Sequence, residues 1–221
     1  MKLTISKENY LKAIAEAQSE GETVIAASLA RWLNVSPPAV TAAIKRLRRD
    51  DLIAVADEGE ITLTPPGEAI AARVLNRHHL IERMLSEIFG MEWYKVHEEA
   101  EQLEHAVSEE FERRLQDRLG GEDVACPHGN RVSLDSPEER RRRGWRKLDE
   151  FDPETPVRVV SVYERDRRLL EYLDNLGVKP GARIRILARN YDDTITLAVD
   201  NSTVPLGTSA ASRVWAERLE H

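Results

Sequence analysis

The sequence predicts a mainly α fold with a small amount of β: an N-terminal winged helix-turn-helix, a middle section of long helices, and a C-terminal SH3-like β-barrel. Three observations carry this expectation. Apolar residues recur at helical spacing through the first half of the chain. One stretch, LIAVADEGEITLT, breaks that period with two short alternating runs around a glycine, as a β-hairpin does. From Val157 onward the period becomes two, with turn residues at KPG, NYDD and DNST.

At 221 residues and 41% hydrophobic content, the chain can form two or three small domains with separate cores. No apolar run approaches the ~20 residues of a membrane span, and MKLTISKENY lacks the apolar stretch of a signal peptide. A single cysteine allows no internal disulfide. A cytoplasmic protein with no membrane partner is therefore expected. The net charge of −7 argues against nucleic acid as a partner, but the distribution matters more than the sum. Residues 1–64 carry eight Lys/Arg against nine Asp/Glu, and four of those bases, Lys45, Arg46, Arg48 and Arg49, lie within five positions. A basic patch on a nearly neutral domain suffices for phosphate contact.

The first helix is expected from Ser6 to about Ala17, with Tyr10, Leu11, Ile14 and Ala17 as its apolar stripe and Gly21 as its stop. A second, IAASLARWL, ends in the tight turn NVS. There Ser36 can cap the next helix and Pro37 fits its first position. That third helix buries Val40, Ile44 and Leu47 and leaves Thr41, Lys45, Arg48 and Arg49 on its remaining surface, as a recognition helix would. The hairpin that follows occupies the place of a wing, which favours DNA binding over a plain helical hairpin with incidental bases. Ser36, Pro38, Ala39, Thr41 and Ala42 offer few bidentate base contacts. Thymine methyls and DNA shape then carry much of the specificity, with Arg46 and Arg49 as phosphate anchors and Lys45 as a further DNA-binding residue.

After Pro65 and Pro66 a long helix is expected from about Gly67 to Phe89. Another follows from about Trp93 to Leu119, with Val96, Ala100, Leu103, Val107 and Phe111 on one stripe. In HEEAEQLEH, on the second helix, His97, Glu101, Glu104 and His105 fall at i, i+4, i+7 and i+8, and so share one face. Imidazole nitrogens and carboxylates converging there can bind a divalent first-row metal, although a solvated acidic face has the same pattern. A second pair separates the two readings: His78 and Glu82, four apart in RHHLIERML, would complete a cage from the first long helix. The motif is not that of a zinc protease, because Glu101 stands where a second histidine is required. Nor is it a di-iron site, because Gln102 replaces the glutamate three before His105. Both departures favour metal sensing or storage over catalysis.

Cys126 and His128 flank a proline in CPHG, where a thiolate and an imidazole can reach one ion. Residues 127–156 read as a polar linker with a short helix, the arginines of EERRRRGWRK forming a solvated face. The strands from Val157 suggest an SH3-like module without a catalytic motif, and Glu164 or Asp166, just past its first strand, could complete a metal shell. Two apolar helix stripes invite a second subunit, and a dimer presents two recognition helices about 34 Å apart on a palindromic duplex.

Taken together, SPPAVTAAIKRL, RHHLIERML, KVHEEAEQLEHAVSEEFERRL, CPHG and the strand-rich C-terminal part resemble the diphtheria toxin repressor family of metal-dependent bacterial transcription regulators, over nearly the whole chain. The resemblance implies a homodimer on double-stranded operator DNA. Its domains are a winged helix-turn-helix over 1–65, a helical metal-binding and dimerisation domain over 66–126, the linker, and an SH3-like (FeoA-like) domain over 157–221. It further implies two metal sites per subunit. One comprises Glu101, Glu104 and His105 with the N-terminal helix, His78 and His97 lying nearby. The other comprises Glu82, Cys126, His128 and an acid of the third domain, Glu164 before Asp166, as in the manganese-responsive branch. Glu101 stands where the iron-responsive branch has cysteine, which favours Mn²⁺ over Fe²⁺. Asn9 stands where the family places methionine or aspartate, and its amide oxygen is a weaker ligand.

The expected function is a Mn²⁺- or Fe²⁺-activated repressor of metal-uptake genes. A winged-helix regulator of a small organic ligand is the alternative, and a metalloenzyme or metal-storage protein a more distant one. No activated nucleophile or Gly-rich phosphate loop is present, so neither enzymatic activity nor an organic cofactor is expected.

Overall fold

The computed structural model describes residues 4–120, 124–131 and 135–219. Helix α1 (Ile5–Ser19) begins at Thr4, whose hydroxyl accepts from the Lys7 backbone N–H. It is buried on every side from Tyr10 to Ala17, not along one stripe, because other parts of the chain pack around it. Helices α2 (Ala26–Trp32) and α3 (Pro37–Arg49) follow. Ser36 stands at the N-cap of α3, but its hydroxyl makes no capping bond. The helix start rests instead on Pro37 and Pro38, whose missing N–H groups need no partner there. Strands β1 (Ile53–Val55) and β2 (Ile61–Leu63) pair antiparallel with Val55 opposite Ile61, and Gly59 at φ 87° turns the chain between them. Leu11, Ile14, Leu29, Val40, Leu47 and Ile61 close one core beneath this wing.

Thr64 caps α4 (Pro65–Arg83), which leaves the wing so closely that a Cβ on Gly67 would lie 2.0 Å from the Leu52 carbonyl oxygen. Helix α4 packs against α1, α5 and α6 and is therefore central. Its continuation, Met84–Ile88, widens to a π-turn closed by the Phe89 N–H on the Met84 carbonyl.

The second long helix expected from Trp93 to Leu119 is in fact two, α5 (Val96–Leu103) and α6 (Glu109–Leu119). The break has a local cause. Ser108 accepts from the Phe111 N–H as a new N-cap, and Glu109, Glu110 and Glu112 sit where a helix N-terminus favours negative charge. In consequence Val96 and Ala100 are buried, while Leu103 and Phe111 are exposed. Glu104, still αR with its N–H on the Ala100 carbonyl, and His105 lie in the turn that ends α5.

The chain then forms α7 (Pro137–Arg142), β3 (Arg146–Lys147), β4 (Pro156–Val162), α8 (Arg167–Asn175), β5 (Arg183–Arg189), β6 (Thr194–Val199), β7 (Ser202–Gly207), the short α9 (Thr208–Ala211) and β8 (Val214–Arg218). The six strands make one antiparallel sheet in the order β3-β8-β4-β5-β6-β7. Strand β7 was not expected. Its Pro205 argues against a central strand and is tolerated because β7 lies at the edge of the sheet.

Two corrections concern the stretch expected to be linker, of which 132–134 lie outside the described residues. Arg146 and Lys147 pair with Ala216 and Trp215, and Leu148 and Phe151 are buried in the sheet's own core. Nor is the arginine run simply solvated. Arg140 is buried, meets Glu20 of α1 at 3.1 Å and stacks over the Trp215 ring, and Lys147 reaches the same Glu20 at 3.2 Å. These contacts seat the C-terminal sheet against α1.

Leu148→Ala is expected to destabilise the protein by about 2–5 kcal/mol in chemical denaturation, the cost of emptying a fully buried leucine site. A change within about 0.5 kcal/mol is what a solvated linker would give.

Candidate metal centre and DNA-binding face

Burying a carboxylate is costly unless its charge is matched. Glu82 is completely buried in α4, and three imidazole nitrogens meet its Oε1: His78 Nε2 at 3.1 Å, His97 Nδ1 at 3.2 Å and His128 Nδ1 at 3.3 Å. His78 Nε2 and His97 Nδ1 are themselves 3.0 Å apart. The other Glu82 oxygen has no hydrogen-bond partner. Close nitrogens around a buried anion with an orphaned oxygen fit a divalent cation better than they fit one another.

Each imidazole is steered from behind. His78 Nδ1 lies 2.7 Å from Glu104 Oε2, which turns Nε2 toward Glu82. His128 Nε2 donates to the Trp93 carbonyl at 2.9 Å and turns Nδ1 inward. Backing of this kind fixes which nitrogen a metal can use.

A second set adjoins the first. Donor atoms of His79, Glu82, Cys126 and Glu164 all lie within 4.8 Å of one another, as do those of His78, Glu82 and His97, so the two clusters share Glu82. The Cys126 thiol donates to Glu164 Oε2 at 3.5 Å, and burial, with Glu82 and Glu164 nearby, pushes it well above the usual thiol range. Asn130 Nδ2 also donates to Glu164 Oε2, at 2.6 Å. The loop that carries Cys126 and His128 is sutured to β4 by the Val162 N–H on the His128 carbonyl. Gly129, at φ 83°, passes so close that a Cβ would meet the Val160 carbonyl oxygen at 2.0 Å.

His79 was missed in the sequence. It is buried with both ring nitrogens unpartnered, and its Nε2 is 3.7 Å from Glu164 Oε1. The signal was present in RHHLIER, where His78 and His79 precede Glu82 by four and three positions. Asp166, by contrast, is exposed and spends its carboxylate capping α8 at the Leu169 N–H, 3.1 Å away. Glu164 alone of that pair faces the cluster.

The remaining expected ligands form a separate group around Lys12 of α1. Its ammonium lies 3.1 and 3.0 Å from the two Glu104 oxygens, 3.6 Å from Glu101 Oε1 and 3.3 Å from His78 Nδ1. His105 directs Nδ1 at Glu8 Oε2, 3.1 Å, and Nε2 at Asn9 Oδ1, 2.6 Å. Glu104 is buried and Glu101 exposed. Burial alone would raise the Glu104 carboxyl, but the His78 hydrogen bond and the Lys12 ammonium outweigh it and hold the pKa at about 2. Burial and Lys12 oppose charge on His78, and Glu82 and Glu104 prevail, raising it to about 10.

In the winged helix, Ser36, Pro38, Ala39, Thr41, Ala42, Lys45, Arg46 and Arg49 are all exposed on or just before α3. The Thr41 hydroxyl donates back to the Pro37 carbonyl at 3.0 Å, and Arg49 donates to Asp50, which also holds Lys7 of α1 at 2.6 Å.

A winged helix with a free basic helix, a buried histidine and carboxylate cluster, and an attached antiparallel sheet define a DNA-binding regulator built around a metal site. The comparisons with known proteins agree. Residues 2–60 match the family described as iron dependent repressor, N-terminal DNA binding domain; residues 64–133 its metal binding and dimerisation domain; and residues 146–218 the FeoA domain. The chain is 32% identical over 229 residues to the diphtheria toxin repressor of Corynebacterium glutamicum, covering 99% of this chain and 98% of that one. It is also 32% identical over 228 residues to the iron-dependent repressor IdeR of Mycobacterium tuberculosis, covering 98% and 99%. A solved manganese-dependent transcriptional repressor in complex with manganese superposes with a TM-score of 0.83 at 31% identity, over 96% of this chain and 100% of that one. The manganese regulator SloR superposes at 0.77 and 27%, over 96% and 98%. The chain belongs to the diphtheria toxin repressor family of metal-dependent transcriptional repressors, which are not enzymes. Among the described residues no helix is long and apolar enough to cross a membrane.

The Glu104 carboxyl is held below its ordinary value of 4.5, so it contributes stability above that pH and loses it as the pH falls toward about 2. His78, raised above 6.5, contributes fully below that pH and loses its contribution as the pH rises through about 10. In chelator, the melting temperature of the wild type should fall between pH 4.5 and 2 more steeply than that of Glu104→Gln. Parallel curves would show that Glu104 is not depressed.

Proposed function

We propose that this chain is a Mn²⁺-activated, and alternatively Fe²⁺-activated, repressor that binds palindromic operator DNA as a homodimer in the cytoplasm, without an organic cofactor. The observation that carries the reading is Glu82, a fully buried carboxylate with three imidazoles at 3.1–3.3 Å from one oxygen and none on the other. The ligands are His78, Glu82 and His97 in one site and His79, Glu82, Cys126, His128 and Glu164 in its neighbour. Divalent charge, when bound, neutralises Glu82 and Glu164 and makes it favourable to hold them together. The carboxylates suit Mn²⁺ and Fe²⁺, and the lone thiolate leaves both within range.

The ligands come from α4, from α5, from the Cys126–His128 loop and from just beyond β4. Holding them together fixes the C-terminal sheet and the helical domain against α1, whose Lys7–Asp50 pair reaches the end of α3. The pose of the reading head thus depends on the site, and the coupling is reciprocal. Exposed Ile88, Phe89 and Phe111 in the helical domain support a dimer face of apolar side chains.

The test is binding to duplexes selected from a random pool in the presence of Mn²⁺, read by fluorescence anisotropy. Chelation should weaken binding by about 5–150-fold, the usual range of allosteric coupling, and Glu82→Gln should remove the response to Mn²⁺. Equal affinity with and without chelator would sink the proposal.

Arg46→Ala should weaken binding to all duplexes by a similar factor and lower the slope of log K against log salt by about 1, as loss of one phosphate contact does. An effect confined to certain bases would make Arg46 a sequence reader.

A further inference from the structure

The group around Lys12 has the residue types of a metal site and already contains a cation. Lys12 is 4% exposed, and its ammonium touches both Glu104 oxygens and approaches Glu101 and His78. Glu16, one turn further along α1, adds negative charge on the same side. Nor does His105 have a nitrogen to spare, since Glu8 Oε2 and Asn9 Oδ1 occupy both. Asn9 contributes only a neutral oxygen, which is committed to His105. A divalent ion brought among these groups would be repelled by the ammonium, and each donor would have to break an existing contact to reach it.

We propose that Lys12 is the permanent cation of the Asn9–Glu101–Glu104–His105 group, which makes that group a metal-independent latch between the reading head and the helical domain and confines exchangeable metal to the two sites sharing Glu82. This rests on the reading of Glu82 as a metal-site residue. The latch has a defined reach. Lys12 and Asn9 lie on α1 of the winged-helix domain, while Glu104 and His105 lie in the turn between α5 and α6. Glu104 and Lys12 also reach His78 Nδ1, at 2.7 and 3.3 Å, and Glu101 Oε1 lies 3.7 Å from His97 Nε2, so the latch borders the metal pocket at two imidazoles. The residues assigned to a first metal site by family resemblance then position the reading head through an internal ion pair.

The full-length protein, stripped with chelator, is loaded with Mn²⁺ and dialysed, and bound manganese is counted per chain by atomic absorption. His105→Gln and Glu101→Gln should each leave the count at the wild-type value. Lys12→Glu, which replaces the cation by a third carboxylate, should raise it by one per chain, and adding Glu101→Gln to it should remove the gain. A count that falls by one with His105→Gln overturns the proposal, as does an unchanged count in a Lys12→Glu variant that melts cooperatively. Should Lys12→Glu not fold, the His105→Gln comparison decides alone. In the metal-free protein, Lys12→Met should speed amide exchange across Ile5–Ser19 at least about tenfold, and unchanged exchange there overturns the latch. Failure of the underlying reading is seen separately, as a manganese count that Glu82→Gln leaves unchanged.

Discussion

Everything in this structure is arranged around the cost of burying Glu82. A lone carboxylate in the interior would protonate or expel itself into water, and Glu82 does neither, because basic groups from separate stretches of chain meet it. His78 comes from its own helix, His97 from α5 and His128 from the loop sutured to β4. Against the desolvation that would raise it, His128 and His78 hold the Glu82 pKa well below the carboxylate range. His128 could not sit there if the C-terminal sheet were undocked, since the Cys126–His128 loop is placed by a backbone bond to Val162 and by the close passage of Gly129 over Val160. One buried charge thereby makes the sheet's position part of the site.

Helix α1 is the second consequence. It is buried all round because it lies between the wing, the central helix and the sheet, and each contact is polar as well as apolar. Lys7 holds Asp50 at the end of the reading helix, Lys12 holds Glu104, and Glu20 holds Arg140 and Lys147. These ion pairs join the sheet and the α5–α6 turn to the end of α3 through a single helix. Buried ion pairs suit this work better than apolar packing. They contribute little net stability, but breaking one strands a charge, so they define a position sharply.

Much of this was legible in the sequence, for reasons that particular residues show. The winged helix rests on local signals: Pro37 at a helix start, Val40 and Leu47 at core spacing, Gly59 in a hairpin turn. The pairing of His78 with Glu82 is likewise a local offset of four. What failed was continuity. The helix through HEEAEQLEHAVSEEFERRL was read from its apolar period alone, and Ser108 followed by acidic residues, a start signal in its own right, went unused. That omission ran one helix through the turn that holds Glu104 and His105. The arginine run failed for another reason. Whether Arg140 is solvated depends on Glu20, 120 positions earlier, and on Trp215, and no window of sequence contains all three.

The choice of metal shifts with the geometry. In the sequence, Glu101 in place of a thiolate is the residue that argues for manganese. In the structure Glu101 is exposed, and its nearest charges are Lys12 at 3.6 Å and His97 Nε2 at 3.7 Å. On the proposed reading preference is set where the donors are buried, at Glu164 and at the orphaned atoms of Glu82 and His79. There two carboxylates and several imidazoles surround a single thiol, whose proton leaves only when a cation offsets its acidic neighbours. A hard ion gains from the carboxylates and little from sulfur, and any ion that uses the sulfur must displace that proton. In the proposed sites the paired carboxylates are the attraction that manganese or iron meets, and the single thiol is the one donor that favours a softer ion.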